Sequence, residues 1–276
     1  MKNILQRIFH TSLYKSGYSR ARFTMFGIVL QELRVNISQF FTWRNPLVSF
    51  FRSFMVFQST IIRLLIGRNV KYSFAYTGED RIIESILKPL IYQKGFYVDV
   101  GCNHPKYISN TYALYRKGWR GICIDANEGL IKKYRLQRPK DIAINALVSN
   151  EVKTKTFYLA ENDGLSTTEK SNLEEIKQQN IEVEEVKMES KTLTSILLEH
   201  NAPEHFDVLS IDAEEHDFQV LSSLDFSLFR PRLVVLEDEL FDLRDPYSNP
   251  SYKLLIDRGY VCEGFILKNL YFTSKR

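Results

Sequence analysis

Residues 97–105 read YVDVGCNHP, and the assignment of this stretch decides the fold. Tyr97–Val100 is a short apolar run carrying one acid, Asp99. Gly101 follows, then Cys102, Asn103, His104 and Pro105. Three chemistries compete for it: a metal site, a cysteine nucleophile with its histidine, and a loop that holds a ligand by its backbone. A metal needs three or four converging ligands, and no CxxC pair or further Cys/His spacing completes the set. A cysteine nucleophile needs a base in reach, whereas adjacent residues on a tight loop point apart. The third reading is favoured. Under it Cys102 packs as a small apolar residue and His104 shapes the loop.

The pattern of a short apolar run followed by a helical segment recurs toward the C-terminus. FYVDV, GICID, IAINALV, FDVLSID and RLVVLED read as buried strands. SNTYALYRKG, ANEGLIKKYRL, TLTSILLEH and EHDFQVLSSL read as helices between them. EDRIIESILKPLIY is a helix ahead of the first strand, cut short by Pro89. Such alternation predicts an α/β chain with a parallel sheet covered on both faces. After the helix YKLLIDRG, the runs YVCEGFIL and NLYFTS meet near Lys268 and Asn269 as a hairpin, predicting an antiparallel edge. Between Thr154 and Lys191 the alternation breaks. TFYLA and VEEVKM read as strands around a polar insertion, in which Asp163–Thr168 (DGLSTT) is expected to close over the site with Ser166 lining it.

In an open parallel sheet, ligands bind outside the carboxyl ends of the strands, where YVDVGCNHP lies. The dinucleotide fingerprint G-x-G-x-x-G is absent, since Gly101 stands alone, and so is the P-loop. The second strand ends in Asp125, an acid suited to both hydroxyls of a ribose. A ribose acid without a pyrophosphate cradle favours an adenosyl cofactor that carries no phosphate. S-adenosyl-L-methionine meets that description.

Taken in order, VDVGCNHP, SNTYALYRKGWRGICIDAN, RPKDIAINALVS, DGLST, FDVLSIDAEEHDFQVL and LVVLED resemble the FkbM-type S-adenosylmethionine-dependent methyltransferases over residues 78–272. The resemblance implies a class I methyltransferase fold: a doubly wound, mostly parallel seven-stranded sheet with an antiparallel C-terminal hairpin. It also implies O-methylation of a sugar or natural-product hydroxyl. Carried onto this sequence, it assigns Asp99, Gly101 and Asn103 to the methionine end of the cofactor and Asp125, with Ala126, to the ribose. Asp141 and Ile142 fall to the adenine edge, and Asn110 to the cofactor carboxylate or the acceptor. The family's Asp-x-Glu-Gly-x-Glu loop appears as Asp212-Ala213-Glu214-Glu215-His216-Asp217, with Glu215 at the glycine and Asp217 at the final glutamate.

Methyl transfer to a hydroxyl requires in-line alignment and removal of the hydroxyl proton. Asp212, which also borders the cofactor, Glu214 and His216 are the catalytic candidates, with His216 as the base. Asp212, Glu237 and Asp238 offer hard oxygen ligands, making Mg²⁺ a second candidate cofactor. A small natural product is the alternative acceptor, and a non-catalytic scaffold that retains the fold is a third reading.

Charge divides the chain. Residues 1–72 hold eleven Lys/Arg against one acid, Glu32, a net +10, while the remainder is −6. An acidic catalytic part argues against a nucleic-acid partner, as does the missing Asn-Pro-Pro-Tyr motif after the fourth strand. In the basic part, PLVSFFRSFMVFQSTIIRLLIGR (Pro46–Arg68) is broken by Arg52, Gln58 and Arg63 before reaching the ~20 apolar residues of a bilayer span. It reads as an amphipathic helix at an anionic membrane surface, or else as a packing or homo-oligomerisation element. The domains are therefore set at 1–76, a basic helical N-terminal segment, and 77–276, the methyltransferase domain. Three scattered cysteines, Cys102, Cys123 and Cys262, argue for a reducing compartment. The expected location is the cytoplasm, at the inner face of the membrane.

Overall fold

The computed structural model describes residues 46–66, 73–88, 90–160 and 183–274. The expected DGLSTT loop, Asp163–Thr168, lies outside the described residues. The chain divides into two units, Met1–Tyr72 and Ser73–Arg276. The first contains α1, Pro46–Ile66. The second begins at Ser73, where Asp80 ties the entering chain down. Its carboxylate accepts from the Ser73 hydroxyl at 2.7 Å and from the Phe74 N–H at 2.8 Å.

In the second unit, α2 (Glu79–Ile86) leads into β1 (Phe96–Val100), α3 (Tyr112–Arg116), β2 (Arg120–Asp125), α4 (Glu128–Gln137) and β3 (Ile142–Asn145). A side sheet follows, of β4 (Leu147–Val148), β5 (Thr154–Ala160) and β6 (Val183–Lys191) in the order β4-β6-β5. Then come α5 (Leu193–Glu199), β7 (Val208–Ile211), α6 (Asp217–Ser222) and β8 (Leu233–Glu237). The chain closes with α7 (Pro250–Asp257), β9 (Tyr260–Ile266) and β10 (Asn269–Ser274). The main sheet has seven strands in the order β3-β2-β1-β7-β8-β10-β9. Five run parallel, and β10 is antiparallel to both β8 and β9.

The class I arrangement predicted from the strand–helix alternation is present, hairpin included. Strand β10 lies between β8 and β9 and is antiparallel to both, so the sheet ends in the expected antiparallel pair. The sequence IAINALV also divides between two sheets. Its first half pairs with β2, and Leu147–Val148 pair with Ser190–Lys191 of β6.

Strand alternation accounts for two apolar layers. Val98, Val100, Ile122 and Ile124 pack against Ile196 of α5, Val220 of α6 and Leu255 of α7. Tyr97 and Cys123 face the opposite way, toward Ile83 of α2 and Ile131 and Tyr134 of α4. The strand order reverses between β1 and β7. Both neighbours of β1 are parallel to it, so their loops leave on the same edge and a crevice opens there.

Gly101 makes that crevice possible. Its φ is +70°, and a Cβ there would sit 1.7 Å from the Asp212 carbonyl oxygen, so only hydrogen allows the loops after β1 and β7 to touch. Gly118, at φ +98°, has open space around a built Cβ. The pair separates conformational strain from steric clash. Gly118→Ala should lower stability by about 1 kcal/mol, the left-handed cost alone. Gly101→Ala should cost ~3 kcal/mol or more, because overpacking adds to it. Chemical denaturation of both variants checks the difference; equal losses would refute the contact.

Candidate active site

At the crevice lies an open pocket. Gly101, Asn103, Asp125 and Ala126 line one side, and Asp212, Glu214 and His216 the other. These seven sequence candidates are brought together. Ala146, Leu147, Val148 and Phe157, from the crossover into the side sheet, complete the wall and escaped sequence reasoning. Their signal was the apolar end of IAINALV, which sits where a planar base needs a flat apolar surface.

Asp125 is held rigidly. One carboxylate oxygen accepts the Asn103 N–H at 3.0 Å and the other the Asn127 N–H at 2.8 Å. Asn103 itself is left-handed, φ +47°, which turns its N–H toward Asp125. Because a carboxylate offers about four lone-pair directions, acceptor capacity remains for ribose hydroxyls. Asn127 then caps α4 by accepting from the Gly129 and Leu130 N–H groups. These features fit an adenosyl cofactor. Asp125 and Ala126 would hold its ribose, the Ala146–Val148 wall its base, and the Gly101–Asn103 backbone the methionine portion.

Four assignments are corrected. Asp141 and Ile142 stand at the entry to β3, the end of the strand away from the pocket. Asp141 is buried, pairing with Arg138 at 2.7 Å and accepting the Tyr97 hydroxyl at 2.7 Å. The residues past the exit of β3, Ala146, Leu147 and Val148, line the pocket instead. Asp238 turns out of the proposed metal set, accepting from Asn249 Nδ2 at 2.6 Å and the Leu240 N–H at 3.1 Å. Among the described residues no three His, Cys, Asp or Glu side chains converge as a metal site, so the trio of Asp212, Glu237 and Asp238 does not form one. Nor do Asp99 and Asn110 line the pocket. Asp99 is buried beneath it and accepts the Thr111 hydroxyl at 2.6 Å, while Asn110 donates to Ser210 at 3.1 Å. Burial pushes the Asp99 carboxyl up to about 6.

Burial raises the Cys102 thiol well above its usual value, which removes it as a nucleophile. His104 Nδ1 accepts the Lys106 and Tyr107 N–H groups, each at 3.2 Å, so this histidine shapes the turn.

The Asp212–Asp217 loop holds the acids. Glu214 and Glu215 are both left-handed, φ +49° and +69°, so Glu215 adopts the backbone that the family's glycine would take. His216, the residue that precedes α6, is buried. Its Nε2 lies 3.1 Å from Ser149 Oγ and 3.2 Å from Lys155 Nζ, and Lys155 donates to Ser149 at 2.8 Å. That trio engages the ring nitrogen intended as the base. The carboxyls are the unusual groups. Burial, then a hydrogen bond with Glu237, raises Asp212 well above the carboxylate range. Burial and the charge of Glu237 lift Glu214 to about 7, and burial lifts Asp217 to about 7 despite the Ala213 N–H it accepts.

Folded, these carboxyls keep protons up to about pH 7, whereas unfolded they lose them near their ordinary values of 4.5 and 3.8. Their contribution is complete below about pH 4 and is lost as pH rises through 7. Glu214→Gln removes one of these titrations. Its melting temperature should therefore gain on the parent by a few degrees between pH 5 and pH 8, since about 1 kcal/mol moves a domain of this size by ~2–4 °C. A pH-independent difference in differential scanning fluorimetry would contradict the raised carboxyl.

A family model described as the methyltransferase FkbM domain matches residues 99–262, from the end of β1 into β9. Among solved structures, a TehB-like SAM-dependent methyltransferase from Corynebacterium glutamicum is similar over 79% of this chain and 96% of its own. Its sequence identity is 12% and its TM-score 0.39. No curated protein matches significantly. The family match takes in the β1 loop, Asp125 and the whole acidic loop. The chain belongs to the FkbM family of S-adenosylmethionine-dependent methyltransferases.

Proposed function

We propose that the protein is an O-methyltransferase acting on a sugar hydroxyl, in a bacterial surface polysaccharide or its lipid-linked precursor. The observation that carries the O-methyl reading is Glu214, a pocket-lining carboxyl with a pKa of about 7. A sugar hydroxyl is a poor nucleophile at neutral pH, and a general base works best when its pKa lies near the working pH. Glu214 meets that requirement in its ionised form. It therefore takes the base role that the sequence suggested for His216.

Asp212 supports the same chemistry differently. Burial and its hydrogen bond with Glu237 raise its carboxyl well above the usual range, which disfavours a second negative charge beside the acceptor oxygen. Bound S-adenosylmethionine supplies the electrophilic methyl group. Asp125 and the Gly101–Asn103 backbone fix where that group stands, and alignment of the acceptor against it supplies a large part of the rate. His216, which lines the pocket and is held by Ser149 and Lys155, adds a polar group to the wall suited to a further acceptor hydroxyl.

Two variants separate binding from chemistry. In calorimetry Asp125→Ala should weaken S-adenosylmethionine binding at least about tenfold, a cost of ~1.4 kcal/mol or more. Glu214→Gln should leave that affinity within a few-fold and lower methyl transfer to glycan acceptors about 100-fold or more, measured with methyl-labelled cofactor. Failure of the parent to bind the cofactor would defeat the whole reading. Full transfer by Glu214→Gln would remove the base assignment alone.

A further inference from the structure

We infer that α1 is a peripheral membrane-binding helix that lies in the surface of an anionic bilayer. The inference stands apart from the methyl-transfer reading, because it concerns the first unit by itself.

The helix spans 21 residues without an acid. At 100° per residue, sequence positions Ser49, Arg52, Ser59 and Arg63 fall along one side, while Leu47, Phe50, Phe51, Phe54, Met55 and Ile62 fall across the other. Those apolar side chains are exposed: Leu47 is 71% accessible, Phe51 64% and Met55 69%. Phe50 and Phe54 stack one turn apart, centroids 6.4 Å and planes 9° from parallel, and form a continuous aromatic ridge. No helix among the described residues is long and apolar enough to cross a membrane.

Three occupants fit an exposed apolar face: a second copy, a protein partner or lipid. A coiled-coil seam uses a narrow stripe, but this face covers more than half the helix circumference and is dominated by bulky Phe, Met and Ile. A broad face of that kind opposite arginines is the pattern of an interfacial helix, sunk to its apolar side with cations at the headgroups. Charge selects the lipid. Residues 1–72 carry +10, so electrostatic attraction to an anionic surface adds to apolar burial. A basic residue near such a surface contributes about fivefold to partitioning.

Flotation of the full chain tests this, using vesicles of phosphatidylglycerol with phosphatidylcholine against phosphatidylcholine alone. The parent should float with the anionic vesicles at about physiological salt and be released at ~1 M salt, where the Debye length is near 3 Å. Arg52→Glu with Arg63→Glu should lower partitioning by about 25-fold or more. Phe50→Ser with Phe54→Ser should abolish flotation. Both variants should keep the parent's S-adenosylmethionine affinity, which verifies that the catalytic unit is folded. Three results would overturn the inference: no flotation with anionic vesicles, flotation indifferent to both variants, or a dimer in light scattering that the Phe variant dissociates in the absence of lipid binding.

Discussion

A guanidinium buried in the second unit holds the floor of the site together. Arg138, at the C-terminal end of α4, is fully buried. It pairs with Asp141 at 2.7 Å, donates to the Tyr97 hydroxyl at 2.6 Å and reaches Thr111 Oγ1 at 3.1 Å. The Tyr97, Tyr115 and Tyr134 rings lie 5.4, 5.0 and 4.9 Å from its centre. One side chain thereby joins β1, the loop after it, α3, α4 and the entry to β3. A buried cation is costly unless paired and fully hydrogen-bonded, and breaking such a pair typically costs ~3–5 kcal/mol. Thr111 passes the connection on by donating to Asp99, and Tyr134 donates to the Cys102 carbonyl at 2.7 Å. The cofactor loop is thus fixed from beneath, so the residues above it, Gly101 to Asn103, are presented without having to be ordered by the ligand.

Much of this fold was legible because buried parallel strands leave continuous apolar runs, and because Asn127 and Thr192 cap their helices as such residues do. Misreadings arose where sequence carries no direction or partner. IAINALV looks like one strand, yet Asn145 Nδ2 bonds the Asp125 and Ala126 carbonyls, and the chain then leaves for the side sheet. An apolar run does not say which sheet it joins. The resemblance assigned Asp141 to the adenine edge, but the strand enters the sheet there and the pocket is at its exit. Arg138, followed by Pro139, reads as an ordinary helix end on the surface. Only its placement among three tyrosines reveals the hub.

The acidic loop shows why the departures from the family pattern leave its geometry intact. Left-handed backbone costs roughly 1–2 kcal/mol for a residue with a Cβ, and Glu214 and Glu215 both adopt it. That strain is tolerated beside a site because the surroundings over-determine the loop. Asp212 donates its N–H to the Val100 carbonyl at 3.0 Å, Asp217 accepts from Ala213, and the Asp212 carbonyl presses on Gly101. Binding loop and acid loop are therefore one mechanical piece, and the glycine that the family keeps within the second is matched here by a glutamate in the same conformation.

Crowding then decides the chemistry of that piece. Asp212, Glu214, Asp217 and Glu237 influence one another closely, and four negative charges in so small a volume would repel strongly. A divalent cation is one way to relieve the repulsion, but the Asn249 and Leu240 bonds turn Asp238 aside from the ligand set. Protons are the other way. Burial and the neighbouring carboxyls raise Asp212 and lift Glu214 and Asp217 to about 7, so the electrostatic cost of packing acids together becomes the property a general base requires. Lys268, the cation acting on Glu214, sits on the turn between β9 and β10. The C-terminal hairpin, with β10 against β8 and β9 at the sheet edge, thereby places a charge where it moderates the base.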